Sequence, residues 1–343
     1  MTLPLLQLVL NEFPTVDLST TLIIGCQHLL GTTIDLFDAC FARGLKPSNL
    51  YLLGKCYSTN QQTFNRLVEL GVNISRDSFL FDSQRPFDDV YHESVTKFFS
   101  PIFANLESYS SIIILDDGGQ LITLAHHLTA SQANIIAIEQ TTSGYEKIKS
   151  LPLHFPVINV ARSQAKLEVE AIFIAESIIT KIELALINYN TPNPRTLIIG
   201  AGAIGQAIRK LLTPKYDIAL ADSLPERCDF NGQYRECLQD FDLIIGATGQ
   251  PILTIDDLAL LKPGVVLASA SSSDREFPAV HLRHLANNII NCHTDINVNN
   301  LHLLNCGFPI NFNDGAIDCV PPAKIQHLFL LQKQLRMKSY ILK

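Results

Sequence analysis

Short β-branched runs alternate with amphipathic stretches along most of the chain. TLIIGC, NLYLLGKC, SFLFD, SIIILDD, NIIAIEQ and VINV recur through the first half, each ahead of a turn or a helix-like stretch. Alternation of this kind predicts βαβ units and a parallel sheet. The apolar segment 166–186 has the length of a helix rather than a strand. NYNTPNPR follows, in which Pro192 and Pro194 bar helix continuation and the polar residues favour a solvated connector, so the domain boundary is placed there. The rhythm then restarts with TLIIGAGAIG, DIALAD, DLIIGATG, VVLASAS and NIINC. The tail opens on Pro321 and Pro322 and runs apolar at helical spacing. The expected fold class is α/β: two open parallel-sheet domains, over 1–190 and 191–315, with a C-terminal helix over 316–343 that packs across the domains or on a partner subunit.

Composition narrows the function classes. With 47% apolar and 17% charged residues among 343, the chain can bury two sizeable cores. A formal charge of −7 with no Lys/Arg block argues against nucleic acid or an anionic membrane surface as partner. The opening MTLPLLQLVLNEF lacks a basic segment and a small-residue cleavage site, and no apolar run approaches membrane-spanning length, so the expected location is cytoplasmic. Eight cysteines show no C-x-x-C pair and no clustering with histidine, and they read as buried thiols; no metal site is expected.

Gly200, Gly202 and Gly205 form G-x-G-x-x-G directly after the strand TLII and before the amphipathic QAIRKLL. In that setting the glycines permit a tight turn, the approach of a pyrophosphate to backbone amides, and close helix–strand packing. Ala203 and Ile204 complete the turn. Asp222 ends the next strand and is placed to accept from a ribose 2′-hydroxyl, while its charge would repel a 2′-phosphate. The second domain therefore reads as a Rossmann domain with NAD as cofactor. A second glycine turn brings Ala247, Thr248 and Gly249 to a neighbouring strand end, where they line the nicotinamide side.

In the first half, polar groups gather just after predicted strands: His28 in GCQH, Ser58 and Thr59 in YST, Asp116 and Asp117 in LDDGGQ, and residues 139–143 in EQTTS. Open parallel sheets bind ligands at that edge. Taken one at a time, Ser58, Thr59 and Asp117 read as helix caps and His28 as a core histidine; taken jointly, four strand ends converging on one edge read as a ligand site. Adjacent aspartates need donors or a cation, which a substrate rich in hydroxyls supplies. Lys166 begins the long helix with Glu170 four residues on, either as a surface ion pair or as a lysine exchanging a proton with a substrate hydroxyl.

The ordered set GCQH, YST, LDDGGQLITLAHH, EQTTSGY, PVINVARSQAK, GAGAIG, ALAD and GATG resembles S-adenosylhomocysteine hydrolase over roughly residues 20–310. The resemblance implies a substrate domain followed by a Rossmann domain with tightly bound NAD, and hydrolysis through transient oxidation of a ribose hydroxyl. It implies that His28 is an acid/base near the leaving group, Asp117 a catalytic aspartate and Lys166 the handler of the 3′-hydroxyl proton. Thr141, Thr142 and Ser143 would touch NAD, and Ser58 and Thr59 would lie beside the purine. The chain also departs from that family. Gln140 stands for the glutamate that grips the substrate ribose, and Ala171 for the asparagine beside Glu170. Ser272 and Phe308 stand for two histidines, and the ending SYILK lacks the family's lysine and tyrosine. Loss of positioned acids and bases typically costs 10²- to 10⁴-fold each.

The sequence thus points to a diverged, adenosylhomocysteinase-like NAD enzyme that oxidises a hydroxyl of a small nucleoside- or thioether-like substrate. Lys166, Asp117 and His28 would be its catalytic residues, with Ser58, Thr59, Gln140 and Glu170 at the substrate. The alternatives are an authentic hydrolase and a non-catalytic NAD-binding regulatory protein. The apolar final helix suggests self-association as a dimer or tetramer.

Overall fold

The computed structural model describes residues 3–12, 16–129, 134–164, 166–229, 234–312, 318–324 and 341–342. By contacts the chain divides into two units. The first comprises residues 1–80, 91–170 and 315–343, and the second residues 81–90 and 171–314.

The first unit is built on β1 (Thr21–Cys26), β2 (Leu50–Leu53), β3 (Asn73–Ile74), β4 (Ser111–Asp116), β5 (Ile135–Glu139) and β6 (Val157–Asn159). They lie side by side in the order β6-β5-β4-β1-β2-β3, all parallel. The order reverses between β1 and β4, the place where open α/β sheets bind ligands beyond their carboxyl ends. Every residue of β1 is buried, as expected when helices cover both faces of a parallel sheet. Leu50, Leu52, Phe37, Phe64 and Leu67 pack one core beside it.

The second unit carries β7 (Thr196–Ile199), β8 (Ile218–Ala221), β9 (Leu243–Gly246), β10 (Val265–Ser269), β11 (Ile296–Val298) and β12 (Leu301–Leu303). Their order is β11-β12-β10-β9-β7-β8, parallel except for β11. Its reversal falls between β7 and β9. Two parallel-dominated sheets with helices agree with the expected α/β class.

Four local expectations differ from the structure. The boundary by contacts falls at Glu170–Ala171, ahead of the connector at 188–195, because the helix Ala171–Asn188 buries Ala175, Ile178, Ile182 and Leu186 in the core of the second unit. SFLFD forms no strand: Arg76–Phe79 is a 3₁₀ turn, and Asn73–Ile74 supplies the short edge strand instead. NIINC forms none either, since Asn287 and Asn288 take φ of 54° and 52° and Ile290 is exposed. Left-handed residues of this kind interrupt a ladder. Of the expected C-terminal helix, residues 325–340 lie outside the described residues. Ile341–Leu342 form β13, antiparallel to β6. Among the described residues no helix is long and apolar enough to cross a membrane.

Residues 81–90 belong to the second unit through a buried charge pair. Arg283, 1% exposed, donates to Asp274 at 2.7 Å and to the Arg85 carbonyl at 3.2 Å, and its guanidinium lies over the rings of Phe81 and Phe308. Asp274 also accepts from the Phe87 amide at 3.2 Å. Removing one partner of such a pair strands a buried charge, so Asp274→Ala is expected to cost about 3–5 kcal/mol. A urea midpoint unchanged from wild type would contradict this.

Candidate functional site

The carboxyl ends of β1 and β4 bring His28 and Asp117 together. His28 Nε2 lies 3.4 Å from Asp117 Oδ2, and His28 Nδ1 lies 2.5 Å from the buried Ser58 hydroxyl. Asp117 also holds the ammonium of Lys55, which is 4% exposed and sits in the turn after β2. The turn is closed by the Ser58 amide and the Thr59 hydroxyl, both donating to the Lys55 carbonyl at 2.9 Å. Lys55 was not among the residues singled out from the sequence. Its only signal was a lone cation, GKC, following an apolar run.

The electrostatics follow from this cluster. Burial would raise the Asp117 pKa, but Lys55, His28 and Lys166 outweigh it and hold the carboxyl well below the usual carboxylate range. Burial pulls Lys55 the other way, and Asp117 overcomes it, so the ammonium stays protonated. For His28, burial is the largest influence; with Lys55 and Lys166 it outweighs Asp117 and lowers the pKa to about 4. At neutral pH the site therefore holds a fixed ion pair beside a neutral imidazole. Facing a carboxylate, that imidazole carries its proton on Nε2, which leaves Nδ1 to accept from the Ser58 hydroxyl.

Lys166 donates to the Gln140 carbonyl at 2.9 Å and pairs with Glu170 at 3.2 Å. Its charge also reaches His28 and Asp117. The ion pair is therefore present, and the same ammonium lies within electrostatic reach of the His28–Asp117 cluster. Thr141 caps the helix Thr142–Ile148, accepting from the Gly144 amide at 2.9 Å. Thr142 is exposed and Ser143 half-buried. Asp116 is fully buried below the edge, with one oxygen accepting from the Ile122 amide at 2.8 Å. Of the two adjacent aspartates, only Asp117 reaches the cluster of His28, Lys55 and Ser58. Phe308, where the resemblance implies a histidine, is a core residue packed edge-on against Phe81 and Phe87.

In the second unit, Gly200 turns the chain after β7 at φ 117°, and Gly202 precedes the helix Ala203–Leu212. A Cβ on Gly205 would lie 1.8 Å from the Gly200 carbonyl, whereas one on Gly202 would meet nothing within 4 Å. The third glycine is thus required by packing, and the second leaves open space in front of the first-turn amides of Ala203 and Ile204. Asp222, after β8, accepts from Ala201 N at 2.6 Å and from Leu224 N at 3.0 Å. Burial raises its pKa less than these amides, Ser223 and Arg227 lower it, so it remains anionic. These features fit the pyrophosphate and adenosine ribose of a dinucleotide.

Sequence reasoning missed the group that sets the second glycine turn. Glu276, fully buried, accepts from the amides of Thr248 and Gly249 at 2.7 and 3.1 Å and from the hydroxyls of Thr248 and Ser269 at 3.1 and 2.6 Å. Ala247 packs against the Gly200 turn, its carbonyl 2.6 Å from where a Gly200 Cβ would stand. A glutamate seven residues beyond a strand end carries no local pattern, which is why it was not legible.

No protein-family model matches the chain. It is 37% identical over 324 residues to uncharacterised proteins of Mycobacterium tuberculosis strains H37Rv and CDC 1551, covering 90% of this chain and 64% of each relative. The chain thus spans less than two thirds of the curated relatives it matches. Among solved structures it is similar to the dipicolinate synthase of Bacillus halodurans, at 10% identity and a TM-score of 0.47 over 93% of this chain and 99% of that one. It is also similar to NAD⁺-bound 3-phosphoglycerate dehydrogenase of Entamoeba histolytica, at 9% identity and a TM-score of 0.44 over 92% and 94% of the two chains. No reading of the site rests on likenesses of this size.

The lowered pKa of His28 has a sign that can be checked. Between about pH 4 and 6.5 the unfolded chain binds the His28 proton and the folded one does not, so this contribution to stability is complete above pH 6.5 and is lost as pH falls toward 4. Proton NMR of the imidazole is expected to show a midpoint near 4, rising in Lys55→Met, which removes a cation and frees the Asp117 charge. A wild-type midpoint above 6 would refute the arrangement.

Proposed function

We propose that this chain is an NAD-dependent enzyme of the adenosylhomocysteinase-like kind, acting on a hydroxyl of a small nucleoside- or thioether-like substrate. The observation that carries the reading is the glycine turn, with its open space at Gly202 and Asp222 locked beside it by the Ala201 amide. NAD would be held by Gly200, Gly202, Ala203, Ile204 and Gly205 at the pyrophosphate and by Asp222 at the ribose, with Ala247, Thr248 and Gly249 lining the nicotinamide side. Thr141, Thr142 and Ser143 are the further contacts that the family resemblance implies. Bound NAD supplies a hydride acceptor.

The chain's own residues divide the remaining work. Asp117, held ionised by Lys55, is a substrate orienter that accepts hydrogen bonds and carries no proton at neutral pH. His28, neutral and bonded to Ser58, can take up or return a proton. Lys166, which donates to the Gln140 carbonyl and pairs with Glu170, exchanges a proton with a substrate hydroxyl, passing its own proton to Glu170 before it accepts one. Ser58 and Thr59 are substrate-side groups on the turn closed by Lys55. One observation favours a second reading, an NAD-binding protein with little turnover: Lys55 permanently occupies the Asp117 carboxylate.

The test is to load the purified protein with NAD, add adenosylhomocysteine or adenosine separately, and follow NADH absorbance with chromatography of the nucleosides. Formation of NADH or of a new nucleoside supports the enzyme; none with either ligand, despite bound NAD, removes this substrate class. Asp222→Ala is expected to weaken NAD at least about tenfold, the scale of one charge-assisted hydrogen bond lost. Unchanged affinity on calorimetry sinks the ribose assignment. Lys166→Ala should keep NAD affinity and lose about 10²- to 10⁴-fold in rate; full activity would remove Lys166 from the mechanism.

A further inference from the structure

Below the edge occupied by Asp117, three neighbouring strands end on polar side chains in register. Asp116 of β4 is paired with Glu139 of β5, and Glu139 with Asn159 of β6. Asp116 and Glu139 are both 0% exposed. In-register neighbours on parallel strands stand about 4.8 Å apart with side chains on the same face, so the two carboxyls face a common space. Each has one oxygen satisfied and one bare. Asp116 Oδ2 accepts from Ile122 N at 2.8 Å, and Oδ1 has no partner in the protein. Glu139 Oε1 accepts from Thr141 N and Thr141 Oγ1, both at 2.7 Å, and from Gly118 N at 3.3 Å, while Oε2 has no partner. Asn159 adds a third bare oxygen, Oδ1, on a side chain 7% exposed.

Two ionised carboxylates cannot share such a space, since like charges repel and each bare oxygen lacks the donor that burial demands. One proton resolves both problems. We propose that Glu139 is a neutral carboxylic acid at physiological pH that donates its proton to the Asp116 carboxylate, and that this singly charged pair is a positioning device for the turn carrying Asp117. The proton sits on Glu139 Oε2 and bonds to Asp116 Oδ1, so both bare oxygens are used. Glu139 Oε1 remains free to tie Gly118, next to Asp117, to Thr141, next to Gln140. The surrounding charges decide which acid keeps the proton. Lys55 and Lys147 and the Ile122 amide favour the anion on Asp116, while Asp116 and Asp117 disfavour one on Glu139. The nearby Cys26 thiol and Tyr91 phenol are pushed further up by burial and stay neutral. In line with the geometry, burial raises Asp116 to about 6, and burial together with the Asp116 charge raises Glu139 to about 8.

Proton sharing stands apart from the proposed activity; only its bearing on Asp117 as a site residue rests on that reading. The experiment is carboxyl-carbon NMR on the full chain with labelled glutamate and aspartate, titrated from pH 4 to 10, in wild type, Glu139→Gln and Asp116→Asn. One glutamate is expected to titrate near 8, to vanish in Glu139→Gln, and to bind its proton at least about tenfold more weakly in Asp116→Asn, where the neighbouring charge is gone. No glutamate titrating above pH 6 in wild type, or a midpoint indifferent to Asp116→Asn, overturns the shared proton. The positioning role is read from the His28 ring signals. They should shift with the same midpoint near 8 in wild type and stay flat over that range in Glu139→Gln, whose amide keeps the neutral clamp. If they ignore the Glu139 titration, the pair is structural only and that half of the proposal falls. Failure of adenosine or adenosylhomocysteine to bind would refute the proposed activity without altering the carboxyl titration, so the two failures are distinguishable.

Discussion

A parallel sheet covered on both faces leaves one place for polar chemistry, the edge where its strands end. Both sheets here obey that constraint, and several of the groups of functional interest are acids at a strand end or in the turn beyond it. Asp116 ends β4 and Asp117 follows it, Glu139 ends β5 and Asp222 follows β8. All but Asp117, which is held by Lys55 and His28, face backbone amides that the end of a strand or the start of a helix leaves unpaired. Asp222 takes the amide of Ala201, Glu276 those of Thr248 and Gly249, and Glu139 those of Gly118 and Thr141. An anion such as Asp222 gains more from its amide donors than a neutral side chain could, because charge-assisted bonds are roughly twice as strong, whereas Glu139 accepts its amides as a neutral acid. The turns are held open by acids, and the acids are kept in place by the turns.

Lys55 changes the character of the first edge. With it, Asp117 is held well below the usual carboxylate range, and at neutral pH the imidazole beside it is neutral. A general acid or base must be able to give up or take a proton; the ion pair cannot serve, whereas the neutral imidazole of His28, bonded to Ser58, can accept one. The division between a fixed electrostatic frame and a movable proton is therefore built into the packing of one lysine against one aspartate.

How much of this was legible in the sequence depended on whether the cause was local. The strands β1, β2, β4, β5, β7, β8, β9 and β10 are unbroken apolar runs, and the G-x-G-x-x-G turn, with Asp222 one strand away, is a pattern of close neighbours; both were read correctly as elements. SFLFD and NIINC have strand-like composition, yet the chain turns at both: a 3₁₀ turn capped by Ser75 takes in Ser78 and Phe79, and Asn287 and Asn288 take left-handed φ. Glu276 and Lys55 were missed because their partners lie 28 and 62 residues away, and nothing in the local spacing marks them. His28 and Asp117 were legible only as members of a set of strand ends.

Adjacent aspartates at 116 and 117 invite the same role from sequence, and the fold separates them completely. Alternation along the strand sends Asp116 inward to Ile122 and Glu139, and leaves Asp117, the next residue, at the edge with Lys55 and His28. One acid shares its low-dielectric surroundings with another acid, the other with a cation, so their proton affinities move in opposite directions from a common starting value. Two identical side chains one residue apart thereby become a proton-sharing clamp and a permanent anion. The two glycines that follow belong to the same arrangement. Gly119 takes φ 75°, and a Cβ there would come within 2.8 Å of the Gly144 carbonyl. A side chain at that position would push the turn away from Thr141 and open the Glu139 clamp, so the DDGG sequence is one physical unit in which the acids and the glycines each require the other.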